Sequence, residues 1–240
     1  MVQNSKINDI ANSIFRRISS FWWNLSTVVK LLLILNISIF IIQFIGGNIL
    51  HISFFVTKFK TLDNKTVAEY SEFFKIFSLY IPYLKKYFLV SQFLTSLFIH
   101  SGFLHLFFNM LLLGSGGPFV ERQIGSLPFL KLYLLSGIFA GFCQLIFSLI
   151  GPGSMAGSSC SVCAIWATFA FMNPDIKLMI IPGVEKSIVS AKMLILFYAG
   201  LTLVMAILGS NTVTNLAILG GMLFGYLYVK DFKGLKRLID

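Results

Sequence analysis

Four long stretches without a charged side chain limit what this sequence can fold into. No Asp, Glu, Lys or Arg occurs in residues 31–57, 87–120, 132–174 and 193–229. A helix of about 20 apolar residues crosses the hydrocarbon of a bilayer, and every stretch reaches that length. The last two stretches are long enough for two crossings each. The sequence therefore predicts an all-α, polytopic membrane protein.

The composition supports the same class. Of the 240 residues, 57% are apolar and only 12% are charged, whereas about 25% of an ordinary soluble domain is charged. One soluble core cannot hide this much apolar surface, so the lipid bilayer is the first predicted partner. A soluble enzyme, a disordered chain and a nucleic-acid-binding module are excluded, the last in spite of a net charge of +10. Three cysteines do not form a disulfide framework.

Clusters of Gly, Pro and Asn divide these stretches into six predicted spans. Backbone groups released at such breaks must reach water or buried protein, which places the breaks at the membrane interfaces. The fourth span is short, at about 24 Å of helix against roughly 30 Å of hydrocarbon. This predicts a depression that is open to outer water, with Ser159 at its floor. The predicted spans are 31–50, 101–120, 128–150, 158–173, 188–208 and 213–229.

The distribution of Lys and Arg predicts that both termini face the cytoplasm. With that orientation, thirteen of the 19 basic residues lie inside, and the other six lie in one outer loop, in agreement with the positive-inside rule. We divide the chain into an amphipathic anchor (1–30), a membrane domain (31–229) and a basic tail (230–240). The long outer loop (51–100) is rich in aromatic residues and is predicted to lie on or in the outer leaflet. The predicted location of the protein is a bacterial cytoplasmic membrane.

Polar side chains inside spans are costly and are candidates for function. His105 and Asn109 are four residues apart near the start of the second span, so they share a helix face, and His100 lies just before them. The fourth span opens with Gly-Ser-Ser-Cys (157–160). The sixth contains Ala-Ile-Leu-Gly-Gly-Met-Leu-Phe-Gly (217–225).

These three motifs resemble the rhomboid family of intramembrane serine proteases. The spacing His100-x4-His105-x3-Asn109 matches the second-span signature, and Gly157-Ser158-Ser159 takes the place of the Gly-x-Ser nucleophile motif. Residues 217–225 are similar to the family's Ala-His-Leu-Gly-Gly-x-x-x-Gly. The resemblance extends over about 90–230 and implies a six-helix rhomboid bundle.

The resemblance also implies roles for the site residues. Ser159 would be the nucleophile, and a sixth-span histidine would be its base. His105, Asn109 and the backbone N–H of Ser159 would form the oxyanion hole, in which donors await the charge that develops on the scissile carbonyl. Gly157 would support the site, and His100 would be structural, bonding the backbone of the outer loop. The resemblance implies that the partners are transmembrane segments of other proteins. It also implies that the protein uses neither a cofactor nor a metal.

The expected base is missing. Position 218, where the family carries its histidine, is Ile218, and none of the three histidines follows Ser159 in the sequence. Gly221 and Gly225 form a small-xxx-small motif that lets the fourth span approach closely. Since residue 218 shares their face, we predict that it points toward Ser159.

Two cysteines are further departures from the family. Cys163 replaces the bulky residue that commonly supports the imidazole, and Cys160 stands where the family most often has Gly or Ala. Their spacing is also that of a redox pair at a helix start, but thioredoxin-like chemistry needs an exposed pair. Ser159 could alternatively be a helix N-cap, with His105 and Asn109 bonding helices together.

We therefore predict a rhomboid pseudoprotease that binds client transmembrane segments without cutting them. The alternative is an active protease that uses His51, His100 or water as its base, and a neutral-solute transporter is the third hypothesis. An intact rhomboid paralogue encoded nearby would favour a regulatory partnership. No span contains Asp or Glu, which excludes an aspartyl dyad, and the absence of His-Glu-x-x-His excludes a zinc protease.

Overall fold

The structure, a computed structural model, describes residues 24–54, 58–62, 65–149, 154–179, 188–209 and 211–239. These residues form nine helices, with a π-helical turn at Ile45–Ile49 and a 3-10 turn at Ser96–Phe98. The helices are α1 (Thr27–Phe44), α2 (Glu72–Phe77), α3 (Ile81–Tyr87), α4 (Gln92–Thr95), α5 (Phe103–Ile124), α6 (Ser126–Phe147), α7 (Ser159–Met172), α8 (Ala191–Ile207) and α9 (Thr212–Ile239).

A helix occupies each of the six predicted spans. Four of them, α1 with its π-helical turn, α5, α6 and the Thr212–Lys230 part of α9, are long and apolar enough to cross a membrane. The other two, α7 and α8, are shorter apolar helices of 14 and 17 residues. The polytopic helical fold and the short fourth helix are thus confirmed. At a rise of about 1.5 Å per residue, α7 is only about 21 Å long.

Short strands appear in the connections, where the sequence predicts only loops. Within the described residues they form three antiparallel pairs, because neighbouring loop segments satisfy each other's backbone groups. The pair of Leu79–Tyr80 with Ser154–Met155 ties the outer loop to the turn before α7, with Leu79 opposite Met155. The pairs are β1 (Lys58–Leu62) with β2 (Lys65–Glu69), β3 (Leu79–Tyr80) with β4 (Ser154–Met155), and β5 (Lys177–Met179) with β6 (Ile188–Ser190).

The first and last long helices extend into the segments that we assign to the anchor and the basic tail. Helix α1 already begins at Thr27, inside the segment assigned to the amphipathic anchor, and residues 1–23 of that anchor lie outside the described residues. At the other end, α9 continues as helix to Ile239 through the predicted basic tail.

Helix α7 is the centre of the bundle, where ten of its 14 residues are buried. It packs most closely on α9, where a Cβ at Gly221 would lie 2.5 Å from the carbonyl oxygen of Cys160. A Cβ at Gly225 would collide with the carbonyl oxygen of Ala164. The small-residue pattern predicts this approach of the fourth and sixth spans. In the structure, Gly221 and Gly225 face the backbone of residues 160 and 164.

A carboxylate joins the start of α1 to the turn between α5 and α6. Glu121 is buried and accepts hydrogen bonds from the backbone N–H groups of Val28 and Val29, both at 3.0 Å. It also accepts from the hydroxyls of Ser26 and Ser126. Helix N-termini have unpaired N–H groups and a positive dipole end, so a carboxylate there stabilises the helix.

Candidate functional site

The turn that leads into α7 is packed tightly against His105. Gly157 has φ +99°, a conformation that favours glycine. A Cβ at this position would lie 2.6 Å from Cε1 of His105, so the space also demands glycine. The N–H of Gly157 donates to the carbonyl of Ser96 at 2.8 Å, which ties the turn to the outer loop. This fixes the position of the two serines that follow.

The two serines that begin α7 have different surroundings. Ser158 is completely buried, whereas Ser159, the predicted nucleophile, is half-buried at the first position of the helix. Ser159 is therefore the more accessible hydroxyl, as a nucleophile has to be.

The two predicted oxyanion-hole side chains lie on α5, one turn apart. Asn109 is 5% exposed, and its Nδ2 finds no hydrogen-bond partner among the residues that the structure describes. His105 uses Nδ1 to contact the Ser101 hydroxyl at 3.1 Å, while its Nε2 faces Gly157. A buried amide donor without a partner is costly, so Asn109 is suited to bind an oxygen atom brought in by a ligand.

His100 lies against the serine turn from the other side. Its Nε2 is 3.5 Å from the hydroxyl oxygen of Ser158, and its ring centroid is 5.2 Å from that of His105. The carbonyl of His100 accepts from Gln43 of α1 at 3.0 Å. Burial, and secondarily His105, lower the pKa of His100 to about 4, so the ring is neutral at pH 7. Its imidazole thus contacts Ser158, a partner that the sequence does not indicate.

A buried polar chain extends from Ser158 to the first span. The hydroxyl of Tyr133 on α6 contacts Ser158 and accepts from Nδ2 of Asn36 at 3.3 Å. All three side chains are fully buried. The sequence analysis did not predict this series of polar contacts, although a lone Asn within an apolar span indicates a buried hydrogen bond.

Ile218 occupies the position predicted for the missing base. It lies three residues before Gly221, on the same helix face, and Gly221 contacts the backbone at Cys160. Ile218 is therefore level with the start of α7, where it is half-buried and packs on the core. His51, a hypothetical substitute base, is exposed beyond the π-helical turn. At the level of the serine turn, α9 thus carries a hydrocarbon side chain.

The cysteines are buried thiols. Cys160 packs on Met155, with their sulfur atoms 3.8 Å apart, and both Cys160 and Cys163 are free of disulfides. Within the described part of the chain, no group of three or more His, Cys, Asp or Glu side chains could hold a metal ion.

An apolar groove opens between α5, α7 and α8. Its volume is about 300 Å³. Trp166 forms one wall and donates from Nε1 to the carbonyl of Leu112 at 3.0 Å. Cys163 connects the groove to the serine turn, since it lies one helical turn after Ser159. The lining residues are Leu112, Cys163, Trp166, Ala191, Leu194, Ile195 and Tyr198.

These observations define a polytopic helical membrane protein with a serine at the start of a short central helix, beside a His–Asn face of a neighbouring helix. A comparison with protein families matches residues 88–231 to the Rhomboid domain. The match covers more than half of the chain, which belongs to the rhomboid family. A comparison with curated proteins gives no match.

Proposed function

We propose that this rhomboid is a pseudoprotease, which binds transmembrane segments of other membrane proteins and does not cut them. The observation that carries the proposal is Ile218, which packs at the level of the serine turn where the family has its general base. A serine hydroxyl is a poor nucleophile until a base takes its proton. In a well-studied serine protease, loss of the base alone reduces turnover roughly a million-fold.

The groove beside α8 supports the binding half of the proposal. It is apolar, and its wall includes the small residues Cys163 and Ala191. In lipid, helices associate through close packing at small residues rather than through the hydrophobic effect. A client helix that enters the groove would replace lipid against Trp166 and Tyr198. The retained His105 and Asn109 would then offer hydrogen bonds to its backbone.

A fluorophosphonate probe and a transmembrane reporter in reconstituted vesicles test the chemistry. The unmodified protein and Ser159→Ala are expected to give the same background in both assays. Robust cleavage by the unmodified protein that disappears in Ser159→Ala would overturn the pseudoprotease proposal.

Photo-crosslinking tests the binding. A photoreactive amino acid at Leu194, in the groove, should crosslink a single-span peptide in vesicles. The same amino acid at Phe197, an exposed residue of α8 outside the groove, is the matched control. Ala191→Trp should fill the groove and abolish the difference in crosslinking yield between positions 194 and 197. Equal yields at 194 and 197 in the unmodified background would contradict the proposed client site.

An active serine hydrolase is the second candidate, and the contact between His100 and Ser158 favours it. In that case Ser159 would be the nucleophile and His100, which contacts the neighbouring Ser158, would be the substitute base. The probe would then label Ser159, and His100→Gln would prevent the labelling. The third hypothesis, a neutral-solute transporter, is tested by uptake into proteoliposomes. Copurification tests a partnership with an intact rhomboid paralogue.

A further inference from the structure

Three sulfur-containing side chains lie together at the start of α7. The thiol of Cys160 donates to the thioether sulfur of Met155, and the two sulfur atoms are 3.8 Å apart. Cys163 is three residues further along the helix, where Cβ atoms are about 5–6 Å apart, and its thiol interacts electrostatically with that of Cys160. Cys160 and Met155 are 0% and 1% exposed, and neither cysteine is in a disulfide. Two thiols and a thioether thus share one buried, apolar part of the bundle.

The turn before α7 fixes the backbone that carries the thioether. Met155 lies in β4 and pairs with Leu79 of the outer loop. Two residues later, the N–H of Gly157 donates to the carbonyl of Ser96 at 2.8 Å. Methionine is a flexible side chain, so these backbone contacts restrict where its sulfur can lie. A binding site gains from donors that are held in place before the ligand arrives.

The proton between the two sulfur atoms can be exchanged for a monovalent cation without a change in net charge. A cysteine binds a metal ion as the thiolate and releases its proton. One thiolate with Cu(I) is neutral, whereas one thiolate with Zn²⁺ leaves a positive charge in apolar surroundings, which is costly. Thiolate and thioether donors suit Cu(I), while Zn²⁺ in structural sites takes four ligands. The donor set therefore favours a soft monovalent ion.

The geometry leaves room for the ion and for its entry. An ion about 2.3 Å from each sulfur, a usual metal–thiolate distance, fits between atoms 3.8 Å apart at an angle of roughly 110°. Such an angle leaves a third position open to Cys163, which lines the apolar groove. The half-buried Ser159 contacts the thiol of Cys160. The sulfur atoms are therefore one side chain away from the more accessible part of the serine turn.

We propose that Met155, Cys160 and Cys163 form a binding site for Cu(I), which goes beyond the proposed client binding. Cys160 gives its proton to water at the serine turn and binds the ion as a thiolate. Met155 binds it through the thioether, and the sulfur of Cys163 completes the set from the side of the groove. The ion is taken up in its reduced form, so no electron is transferred.

Competition with a coloured chelator tests the donor set. The reduced protein in detergent is mixed without oxygen with Cu(I) bicinchoninate, and the loss of colour measures the Cu(I) withdrawn. The unmodified protein should withdraw a single ion, and Cys160→Ser should withdraw none. Cys143→Ser is the matched control, because that sulfur lies on α6 against Gly220, and it should behave like the unmodified protein. Equal withdrawal by Cys160→Ser, or a loss in Cys143→Ser as large as in Cys160→Ser, would overturn the assignment.

Thermal unfolding in detergent tests the thioether and the choice of metal. Cu(I) should raise the Tm of the unmodified protein, because a ligand that binds only the folded state stabilises it. Met155→Leu keeps an apolar side chain of similar size, so its Tm without metal should stay close to wild type, but it should lose most of the rise with Cu(I). Zn²⁺ at the same concentration should leave the Tm of the unmodified protein unchanged. A full rise in Met155→Leu, or an equal rise with Zn²⁺, would contradict the proposed site.

Discussion

Ser158 and Ser159 are neighbours in the sequence, but their surroundings separate two roles. Ser158 is buried between His100 and Tyr133, where it holds the turn in place. Ser159 keeps partial access to the site but has Ile218 at its level. The more accessible hydroxyl thus lies at the level of a hydrocarbon, and the hydroxyl that contacts an imidazole is buried. This is the physical reason to expect a silent site.

The first prediction concerns the repair of that site. Ile218→His alone should restore little or no cleavage, because Cys163 is too small to hold the new imidazole in one rotamer. Measurable cleavage is expected only when Ile218→His is combined with Cys163→Tyr and Cys160→Gly. The measurement is cleavage of a transmembrane reporter in vesicles, with Ser159→Ala added to each variant as its blank. Full activity from Ile218→His alone would show that the imidazole does not need a bulky side chain at position 163 to hold it.

The second prediction concerns pH. The pKa of His100 is lowered from 6.5 to about 4 in the folded protein, so below pH 6.5 the unfolded chain binds a proton first. This contribution to stability is present above pH 6.5 and is lost as the pH falls to about 4, by roughly 3 kcal/mol in all. The ring of His105 faces His100 and is present in both proteins. Thermal unfolding in detergent should therefore depend less on pH in His100→Gln, and identical profiles would contradict the buried neutral imidazole.

At the scale of elements, the third prediction concerns the contact of α7 with α9. Gly221→Leu places a side chain where the Cys160 carbonyl already lies 2.5 Å from a Cβ position. Overpacking of this kind destabilises by about 1–3 kcal/mol or more. The matched control is Gly200→Leu on α8, since a Cβ there meets nothing within 4 Å. The Tm in detergent should fall for Gly221→Leu and stay near wild type for the control, and two equal values would refute the close contact.

The fourth prediction concerns the attachment of α1. Glu121→Ala leaves the N–H groups of Val28 and Val29 without their acceptor, which should cost roughly 1–3 kcal/mol. Glu121→Gln, which keeps an acceptor oxygen, should recover part of that loss. The control is Glu72→Gln on the outer loop, where the carboxylate is exposed. Proteolysis of the α1 region is the measurement, and wild-type resistance in Glu121→Ala would show that packing alone holds α1.

Sequence patterns predicted those elements whose cause is local. The spans follow from hydrocarbon thickness, and the approach of α7 to α9 follows from Gly221 and Gly225. The β3–β4 pair and the contact of His100 with Ser158 were not predicted, because their partners lie far apart in the sequence and only the fold brings them together. Asn36 and Tyr133, 97 positions apart, show the same limit.

For the whole molecule, the outer loop raises a question about the orientation of the chain. It holds six of the 19 basic residues, which the positive-inside rule would place in the cytoplasm. A long loop is translocated largely regardless of its charge, so these lysines are compatible with the outer side.

The last prediction is the orientation itself, with both termini in the cytoplasm. Six crossings return the chain to the side on which it began, and α9 spans 28 residues, or about 42 Å. That length exceeds the roughly 30 Å of hydrocarbon, so the end of α9 projects beyond the bilayer. An alkaline phosphatase fusion after Asp240 should be inactive, because this reporter folds only outside, whereas a fusion after Gly209, between α8 and α9, should be active. The reverse pattern would invert the bundle and place the serine turn and the long outer loop on the cytoplasmic side.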